Sequence, residues 1–259
     1  MKYDLPDVLR VDADGPVRVV RLNRPEQLNA INDELHLGLT RLFPQLTADD
    51  DARAAVITGE GRAFSAGGDF DLLDRMANDR ALRRDVIAEG RELVLNMLRC
   101  RVPVVAAVNG PAVGLGCSVI ALSDVVYMAE SAYLSDPHVT VGLVAADGGP
   151  LTWPLHTSLL LAKEYAFTGD RISAARAAEI GLANHVCPDR EVVAAATAAA
   201  HKIAKLPRQA VEATKRVLNL HVERSVLATI DFAMAAETES FDMPELRANV
   251  GRFLGRDAS

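Results

Sequence analysis

The chain has 259 residues, of which 49% are apolar and 24% charged, a composition typical of a soluble globular protein with a full core. Its net charge of −7 disfavours a general binder of nucleic acid or of anionic membranes. The cysteines Cys100, Cys117 and Cys187 show neither a disulfide framework nor zinc-ligand spacing, so we expect a reducing, cytoplasmic location. The segment Met1 to Asp7 lacks the apolar core of a signal peptide, and no apolar run approaches the ~18 residues of a membrane span.

Strand and helix patterns alternate along the chain up to about residue 190. Apolar runs predict strands, in order, at 9–13, 17–22, 54–58, 104–108, 125–129 and 132–135. Helical periodicity predicts helices that start at Asn32 and that cover 82–98, 117–122, 159–167 and 173–181. Asn32 and Ser173 are the predicted N-caps, and Asp14-Gly15 is the predicted hairpin turn. This alternation is typical of an α/β domain.

The last part of the chain is predicted to be almost entirely helical. An alanine-rich segment runs to Lys205, a second helix follows Pro207, and a third runs from Arg224 to Phe241. The segment from Asp136 to Pro150 is expected to be a loop rich in glycine and proline. We therefore divide the chain into an α/β core domain at 1–190, which would carry the active site, and a helical extension at 191–259.

Two glycine-rich loops each follow a buried strand. The first covers 59–69 and the second 109–117, and the second opens directly into a helix. A helix N-terminus aims free N–H groups at one place, where a phosphate or a developing oxyanion is favoured. A dinucleotide site is the weaker interpretation, because Gly114-Leu115-Gly116 lacks the third glycine of that motif.

The two loops carry a resemblance to a known family. Ala63-Phe64-Ser65-Ala66-Gly67-Gly68-Asp69 and the segment 106–117 resemble the oxyanion-hole segments of the crotonase (enoyl-CoA hydratase/isomerase) superfamily. The segments 23–30 and 168–184 resemble its N-terminal segment and its later helix and turn, so the resemblance runs from about residue 8 to 255. It implies a crotonase (ClpP-like) α/β fold of repeated ββα units with a C-terminal helical extension. It also implies a homotrimer or a dimer of trimers, with contacts supplied by the C-terminal helices.

The same resemblance implies roles for particular residues. The backbone N–H groups of Gly68 and Leu115 would form the oxyanion hole and stabilise the enolate of a thioester or ketone. Arg24, Ala66 and Asp69 match positions near the bound coenzyme A of the family. Coenzyme A would then be part of the substrate, and no permanently bound cofactor is expected. The scattered histidines at 156, 185, 201 and 221 show no metal-ligand spacing, so no metal is expected either.

The acid–base positions depart from the family. Ser118 and His138 occupy the places of the two glutamates of a hydratase, so simple hydration lacks both expected carboxylates. Asp147 follows His138 by nine residues and is the predicted partner, because a carboxylate bound to one imidazole nitrogen raises the basicity of the other. Glu237 and Glu239 lie on the last long helix, where we expect them in solvent or at a subunit contact, although one could reach an active site.

Three functions stay open at this point. The first is an acyl-CoA enzyme of the hydratase/isomerase type with His138–Asp147 as its base. The second follows from the segment 137–154, which also resembles the β-diketone hydrolase (6-oxocamphor hydrolase-like) branch, where a His–Asp pair activates water for retro-Claisen C–C cleavage without coenzyme A. The third is a non-catalytic paralogue that binds acyl-CoA. None of these three functions requires a nucleic acid or a membrane as partner.

Overall fold

The structure is a computed structural model and describes residues 2–256. Nine strands lie in this range: β1 (Leu9–Asp14), β2 (Val17–Leu22), β3 (Ala54–Gly59), β4 (Val104–Val108), β5 (Ala112–Val113), β6 (Val125–Ala129), β7 (Tyr133–Ser135), β8 (Ile172–Ser173) and β9 (His185–Cys187). A main sheet has the order β1-β2-β3-β4-β6-β9, antiparallel between its first two strands and parallel elsewhere. A small second sheet has the order β5-β7-β8.

Eleven α-helices lie in the same described range. They are α1 (Asp33–Ala48), α2 (Phe70–Asn78), α3 (Arg80–Arg99), α4 (Leu115–Ala121), α5 (His138–Val141), α6 (Gly149–His156), α7 (Leu159–Thr168), α8 (Ala174–Ile180), α9 (Val192–Ala204), α10 (Arg208–Ser240) and α11 (Pro244–Phe253). Strands and helices alternate up to β9 and helices follow it, so the predicted α/β class is confirmed. No helix of the described range is long and apolar enough to cross a membrane.

Helices cover both faces of the main sheet. Every residue of β3 and β4 is buried, which explains why these strands read as continuous apolar runs in the sequence. On one face, Val19, Val56 and Val105 pack against alanines of α9. On the other face, Ile57 and Ala106 belong to the large core that α1 and α3 complete. The parallel strands β3 and β4 therefore deliver the two glycine-rich loops to the same edge of the sheet.

Both predicted N-caps are confirmed. The Asn32 side chain accepts the Leu35 N–H at 3.1 Å, and the Ser173 hydroxyl accepts the Arg176 N–H at 3.2 Å. The predicted hairpin turn is also present, with Gly15 at a φ of +57° between β1 and β2.

Several predicted boundaries were wrong. The two helices expected after Pro207 and from Arg224 are the single 33-residue helix α10, because no glycine or proline interrupts this stretch. The expected loop from Asp136 to Pro150 holds the short helix α5 and the start of α6. The short strand β9 and the helix α2, which Asp69 caps, were not predicted.

The C-terminal helices pack on the body of the chain. Helix α10 contacts α3 and α6, and α11 contacts α2 and α5. Phe241, Leu246 and Val250 share a small core with Leu72 and Met76 of α2. This packing brings residues beyond 190 to the same cavity as the glycine-rich loops, whereas the domain boundary at 190 stays a prediction.

Candidate active site

A cavity of about 290 Å³ lies between the two glycine-rich loops, α3, α5 and the C-terminal helices. Most of its wall is apolar, with contributions from Phe70, Leu72, Met76, Ile87, Leu143 and Met234. Four side chains that can ionise interrupt this apolar wall: His36, His138, Asp147 and Glu237. A largely apolar cavity with a few convergent polar groups is the usual form of a small-molecule site.

The backbone groups predicted to form an oxyanion hole both line this cavity. Leu115 is the first residue of α4, and its N–H has no intrahelical partner because a helix leaves its first N–H groups free. Within residues 2–256, neither the Leu115 N–H nor the Gly68 N–H donates to a protein acceptor. The first loop is fixed against the second because the Val113 N–H donates to the Ser65 carbonyl at 2.9 Å. Two free donors on fixed loops can stabilise a negative oxygen.

The glycine that the first loop requires is Gly67 rather than Gly68. Gly67 has a φ of +90°, and a β-carbon there would lie 3.0 Å from the Val113 carbonyl oxygen. A β-carbon on Gly68 would meet only the Leu73 side chain, at 3.9 Å. The close approach between the two loops is therefore at Gly67, and the role of the Gly68 N–H in an oxyanion hole stays a prediction.

His138 begins α5, and its imidazole is held by a carboxylate that the sequence analysis did not single out. The Nδ1 atom is hydrogen-bonded to Asp136 Oδ1, and the other oxygen of Asp136 accepts the Gly149 N–H at 3.0 Å. Asp136 is buried, and the charge of His138 and these hydrogen bonds lower its pKa although burial alone would raise it. The order Asp136-Pro137-His138 was the available signal, since a turn at proline can bring the flanking side chains together.

The predicted partner Asp147 lies on the other side of the imidazole. Its Oδ1 is 3.9 Å from His138 Nε2, too far for a hydrogen bond and close enough for a strong charge interaction. The Ser118 hydroxyl lies behind it, 3.3 Å from Asp147 Oδ1 and 3.2 Å from the Gly114 carbonyl oxygen. The structure thus brings His138, Asp147 and Ser118 together, but the carboxylate that fixes the imidazole tautomer is Asp136.

Glu237 enters the same cluster from α10 and is only 9% exposed. Burial, with the nearby charge of Asp147, raises the pKa of Glu237 to about 8. Burial also raises the pKa of Asp147, against the opposing effect of His138. Glu237 was expected in solvent or at a subunit contact, with an active-site position as the alternative, and the structure supports that alternative.

The surroundings of His138 favour its charged form. Burial works against the imidazolium, but the charge and hydrogen bond of Asp136, followed by the charges of Asp147 and Glu237, raise the pKa of His138 to about 10. Three carboxyl groups therefore surround one cationic imidazole that is 12% exposed. Such a cluster can release a proton at one substrate atom and accept one at another.

The three residues expected near coenzyme A lie along the first loop. Arg24 Nη1 donates to the Ala30 carbonyl and to Asp69 Oδ2, the latter at 3.1 Å. The Ala66 N–H donates to the Leu28 carbonyl at 2.9 Å, and Ala66 lines the cavity. These contacts fix the loop, and a role of the three residues in binding stays a prediction. Among the described residues, no cluster of His, Cys, Asp or Glu is arranged to hold a metal ion.

Comparison with known proteins identifies the family. The family model described as enoyl-CoA hydratase/isomerase matches residues 12–257. The chain belongs to the enoyl-CoA hydratase/isomerase family. The crystal structure of an enoyl-CoA hydratase/isomerase from Mycobacterium paratuberculosis is 65% identical with a TM-score of 0.95, covering 96% of this chain and 100% of that one. This similarity confirms the predicted crotonase fold.

Curated relatives in this enoyl-CoA hydratase/isomerase family carry two kinds of name. The short-chain-enoyl-CoA hydratase of Clostridium acetobutylicum is 30% identical over 232 residues, 89% of this chain and 87% of the relative. The mitochondrial Delta(3,5)-Delta(2,4)-dienoyl-CoA isomerase of Homo sapiens is 34% identical over 236 residues, 86% of this chain and 72% of the relative. Family membership therefore leaves the choice between hydratase and isomerase open.

Proposed function

We propose that the protein acts on an acyl-CoA thioester and stabilises its enolate. The Gly68 and Leu115 N–H groups bind the thioester oxygen, and His138 with Asp147 moves the proton. The observation that carries this proposal is that both free N–H groups and the His138–Asp147 pair line one cavity. The relatives named for enoyl-CoA substrates support the substrate class. Coenzyme A arrives and leaves as part of the substrate.

The proposed chemistry follows from where charge develops. When a proton leaves a carbon conjugated to the thioester, the electron pair moves to the oxygen, which becomes negative. Each N–H donor in such a site commonly stabilises the transition state by about 3 kcal/mol. The His138–Asp147 pair accepts the proton at one carbon and returns a proton at another, which moves a double bond. Hydration would in addition need activated water, for which Asp147 and Glu237 supply two carboxyl groups, one to accept a proton and one to donate it.

A second candidate is the cofactor-free retro-Claisen hydrolysis of a cyclic β-diketone. The observation in its favour is that no lysine or arginine of the described residues lines the cavity, so its wall offers no ammonium or guanidinium group to the phosphates of coenzyme A. In this reaction the oxygen of water adds to one carbonyl carbon and the C–C bond to the neighbouring carbon breaks. The electron pair forms an enolate at the second carbonyl, and the proton that the His138–Asp147 pair takes from water ends on the carbon.

A paired assay on purified protein tests these proposals. One reaction offers a short-chain enoyl-CoA and follows the loss or shift of its double bond, and the other offers a cyclic β-diketone and follows ring opening. Turnover of the thioester supports the first proposal, provided that His138→Ala removes it. Ring opening alone would replace the first proposal with the second. If neither substrate is turned over but acyl-CoA binding is detected by calorimetry, the protein would be the non-catalytic paralogue.

We also propose assembly as a homotrimer or a dimer of trimers, in the cytoplasm. The support is apolar surface on the C-terminal helix α10, where Leu218, Leu227 and Phe232 are exposed, the last at 82%. Sedimentation equilibrium gives the mass directly, and a monomer at micromolar concentration would contradict this proposal.

A further inference from the structure

Of the four ionisable side chains that line the cavity, His36 takes no part in the chemistry above. His36 lies on α1 with its side chain only 7% exposed, and it lines the cavity. Its Nδ1 atom is 3.0 Å from Glu89 Oε2 on the neighbouring helix α3. Within residues 2–256 its Nε2 atom has no hydrogen-bond partner. The imidazole is therefore fixed from one side and offers its other nitrogen to whatever occupies the cavity.

The helix opposite His36 leaves this nitrogen uncovered. Gly90 lies in the interior of α3 and also lines the cavity. A β-carbon at Gly90 would lie 3.8 Å from His36 Nε2 and would meet nothing nearer. A glycine inside a helix makes the helix less stable than an alanine would. Gly90 therefore lowers the stability of α3, but it leaves open space above His36 Nε2.

Around this nitrogen the wall is apolar. On α3, Val86 and Ile87 lie one turn before Gly90 on the same face of the helix, and both line the cavity. An unsubstituted alkyl chain that filled this space would leave Nε2 buried without a partner, which is unfavourable. The occupant that suits this part of the cavity carries a polar group on an otherwise apolar skeleton.

We propose that His36, oriented by Glu89, binds a hydroxyl group on the acyl part of the substrate. This inference rests on the proposed acyl-CoA function and names the substrate class of that site. With Glu89 accepting the Nδ1–H, Nε2 is an acceptor when the imidazole is neutral and a donor when it is charged. A hydroxyl group can complement either form, because it both donates and accepts.

The charges of the cavity disfavour the competing polar groups. His36, Asp147 and Glu237 line the same cavity. A carboxylate on the substrate would be buried against a mostly apolar wall and would share the cavity with the acidic side chain of Asp147, and both effects disfavour it. A carbonyl oxygen can only accept a hydrogen bond. It would therefore pair with His36 Nε2 only when the imidazole is charged and Nε2 carries a hydrogen.

Calorimetry with unreactive thioesters tests this inference. The probes are hexanoyl-CoA and three hydroxyhexanoyl-CoA isomers with the hydroxyl on one of the last three carbons. The wild-type protein should bind at least one isomer about fivefold more tightly than hexanoyl-CoA, the effect of one neutral hydrogen bond. His36→Leu should lose this preference and keep its affinity for hexanoyl-CoA, because leucine fills the space with apolar surface.

Two variants of Glu89 separate orientation from charge. Glu89→Gln keeps an oxygen that accepts the Nδ1–H, so the preference for the hydroxyl should persist. Glu89→Leu releases the ring and should weaken the preference. Glu89 is partly exposed, so both variants are expected to fold.

The outcomes separate this inference from the function on which it rests. If hexanoyl-CoA binds but no isomer binds more tightly, the inference is wrong and the acyl-CoA proposal stands. The same holds if His36→Leu keeps the wild-type preference. If no thioester binds to the wild-type protein, the acyl-CoA proposal and the inference are both overturned.

Discussion

Nδ1 of His138 is hydrogen-bonded to the carboxylate of Asp136, only two residues earlier in the chain. Because the second oxygen of Asp136 accepts the Gly149 N–H, the carboxylate cannot turn away from the ring. The imidazole therefore keeps a proton on Nδ1 and presents Nε2 to the cavity. Asp147 meets that second nitrogen across 3.9 Å.

Replacement of His138 by alanine should reduce kcat by roughly 10²- to 10⁴-fold, the usual contribution of a general acid or base. The fold should persist because Asp136 keeps the Gly149 N–H and can take up a proton once its cationic partner is gone. The assay is turnover of the substrate identified by the paired test, with far-UV circular dichroism as the control for folding. A variant that keeps near-wild-type rates would remove His138 from the mechanism.

Asp147→Asn should cost less than the loss of His138, with kcat lowered by about 10- to 100-fold. The amide removes the charge that faces Nε2 but leaves the Asp136–His138 hydrogen bond in place. Ser118→Ala is the matched control, because the Ser118 hydroxyl contacts Asp147 but does not line the cavity. If Ser118→Ala and Asp147→Asn lower kcat equally, the charge of Asp147 has no special role.

Two neighbouring alanine variants test whether only the backbone acts in the first loop. Gly68→Ala should keep kcat within a few-fold, because its methyl group would meet only Leu73 at 3.9 Å and the N–H remains. Gly67→Ala should lower the free energy of unfolding by about 1–3 kcal/mol, because it forces a φ of +90° on alanine against the Val113 carbonyl. Chemical denaturation and kcat are measured for both. Equal losses in the two variants would contradict the assignment of the Gly68 N–H.

Glu237→Gln should flatten the dependence of stability on pH. The pKa of Glu237 is about 8 in the folded protein and 4.5 for the free side chain. Between these pH values the folded state holds a proton that the unfolded state lacks, so the wild-type free energy of unfolding falls as pH rises. The variant should lack this contribution, which is on the order of 2–4 kcal/mol for a buried carboxyl.

The Glu237 prediction is checked with urea denaturation of both proteins at a series of pH values from 5 to 8.5, on the order of one pH unit apart. His138 also lowers the free energy of unfolding as pH rises above 6.5, its ordinary pKa, because the folded state keeps the imidazole proton. This effect is common to both proteins, since both contain His138. The informative quantity is therefore the difference between the two curves. Parallel curves would show that Glu237 is ionised throughout.

Gly90→Ala should raise the free energy of unfolding by about 0.5–1 kcal/mol, because alanine favours the helix and its methyl group enters open space. The same methyl group would partly cover His36 Nε2 and should weaken the preference for a hydroxylated acyl chain. A gain of stability together with an unchanged preference would show that the ligand approaches His36 from another side.

The sequence predicts those features that are decided by neighbouring residues. The strands β3 and β4 can be predicted from their own apolar runs, without knowledge of the strands that pair with them. Asn32 can be predicted as the N-cap of α1 because its side chain accepts the N–H of a residue only three positions later. The glycine-rich loops after buried strands predicted a place that favours negative charge, and the family resemblance named the Gly68 and Leu115 N–H groups, which line one cavity. These features account for most of the fold and for the two free N–H groups of the cavity.

The rest of the site depends on packing that the sequence does not display. Glu237 and Glu239 look alike in the sequence, and only the rotation of α10, set by buried Ile230 and Met234, decides which one faces the cavity. Asp136 was missed because the contact with Gly149 that directs its carboxylate lies across a segment expected to be a loop. His36 was missed because α1 was read from its leucines alone.

Glu237 is carried to the cavity by a helix that lies far along the chain from His138 and Asp147. Its carboxyl group loses water only when α10 docks on the body, and it then meets another acidic group. We therefore expect docking of this helix to take up a proton from solution. Refolding would slow in alkaline buffer at this step, while formation of the sheet, whose β3 and β4 strands carry no ionisable side chain, would not.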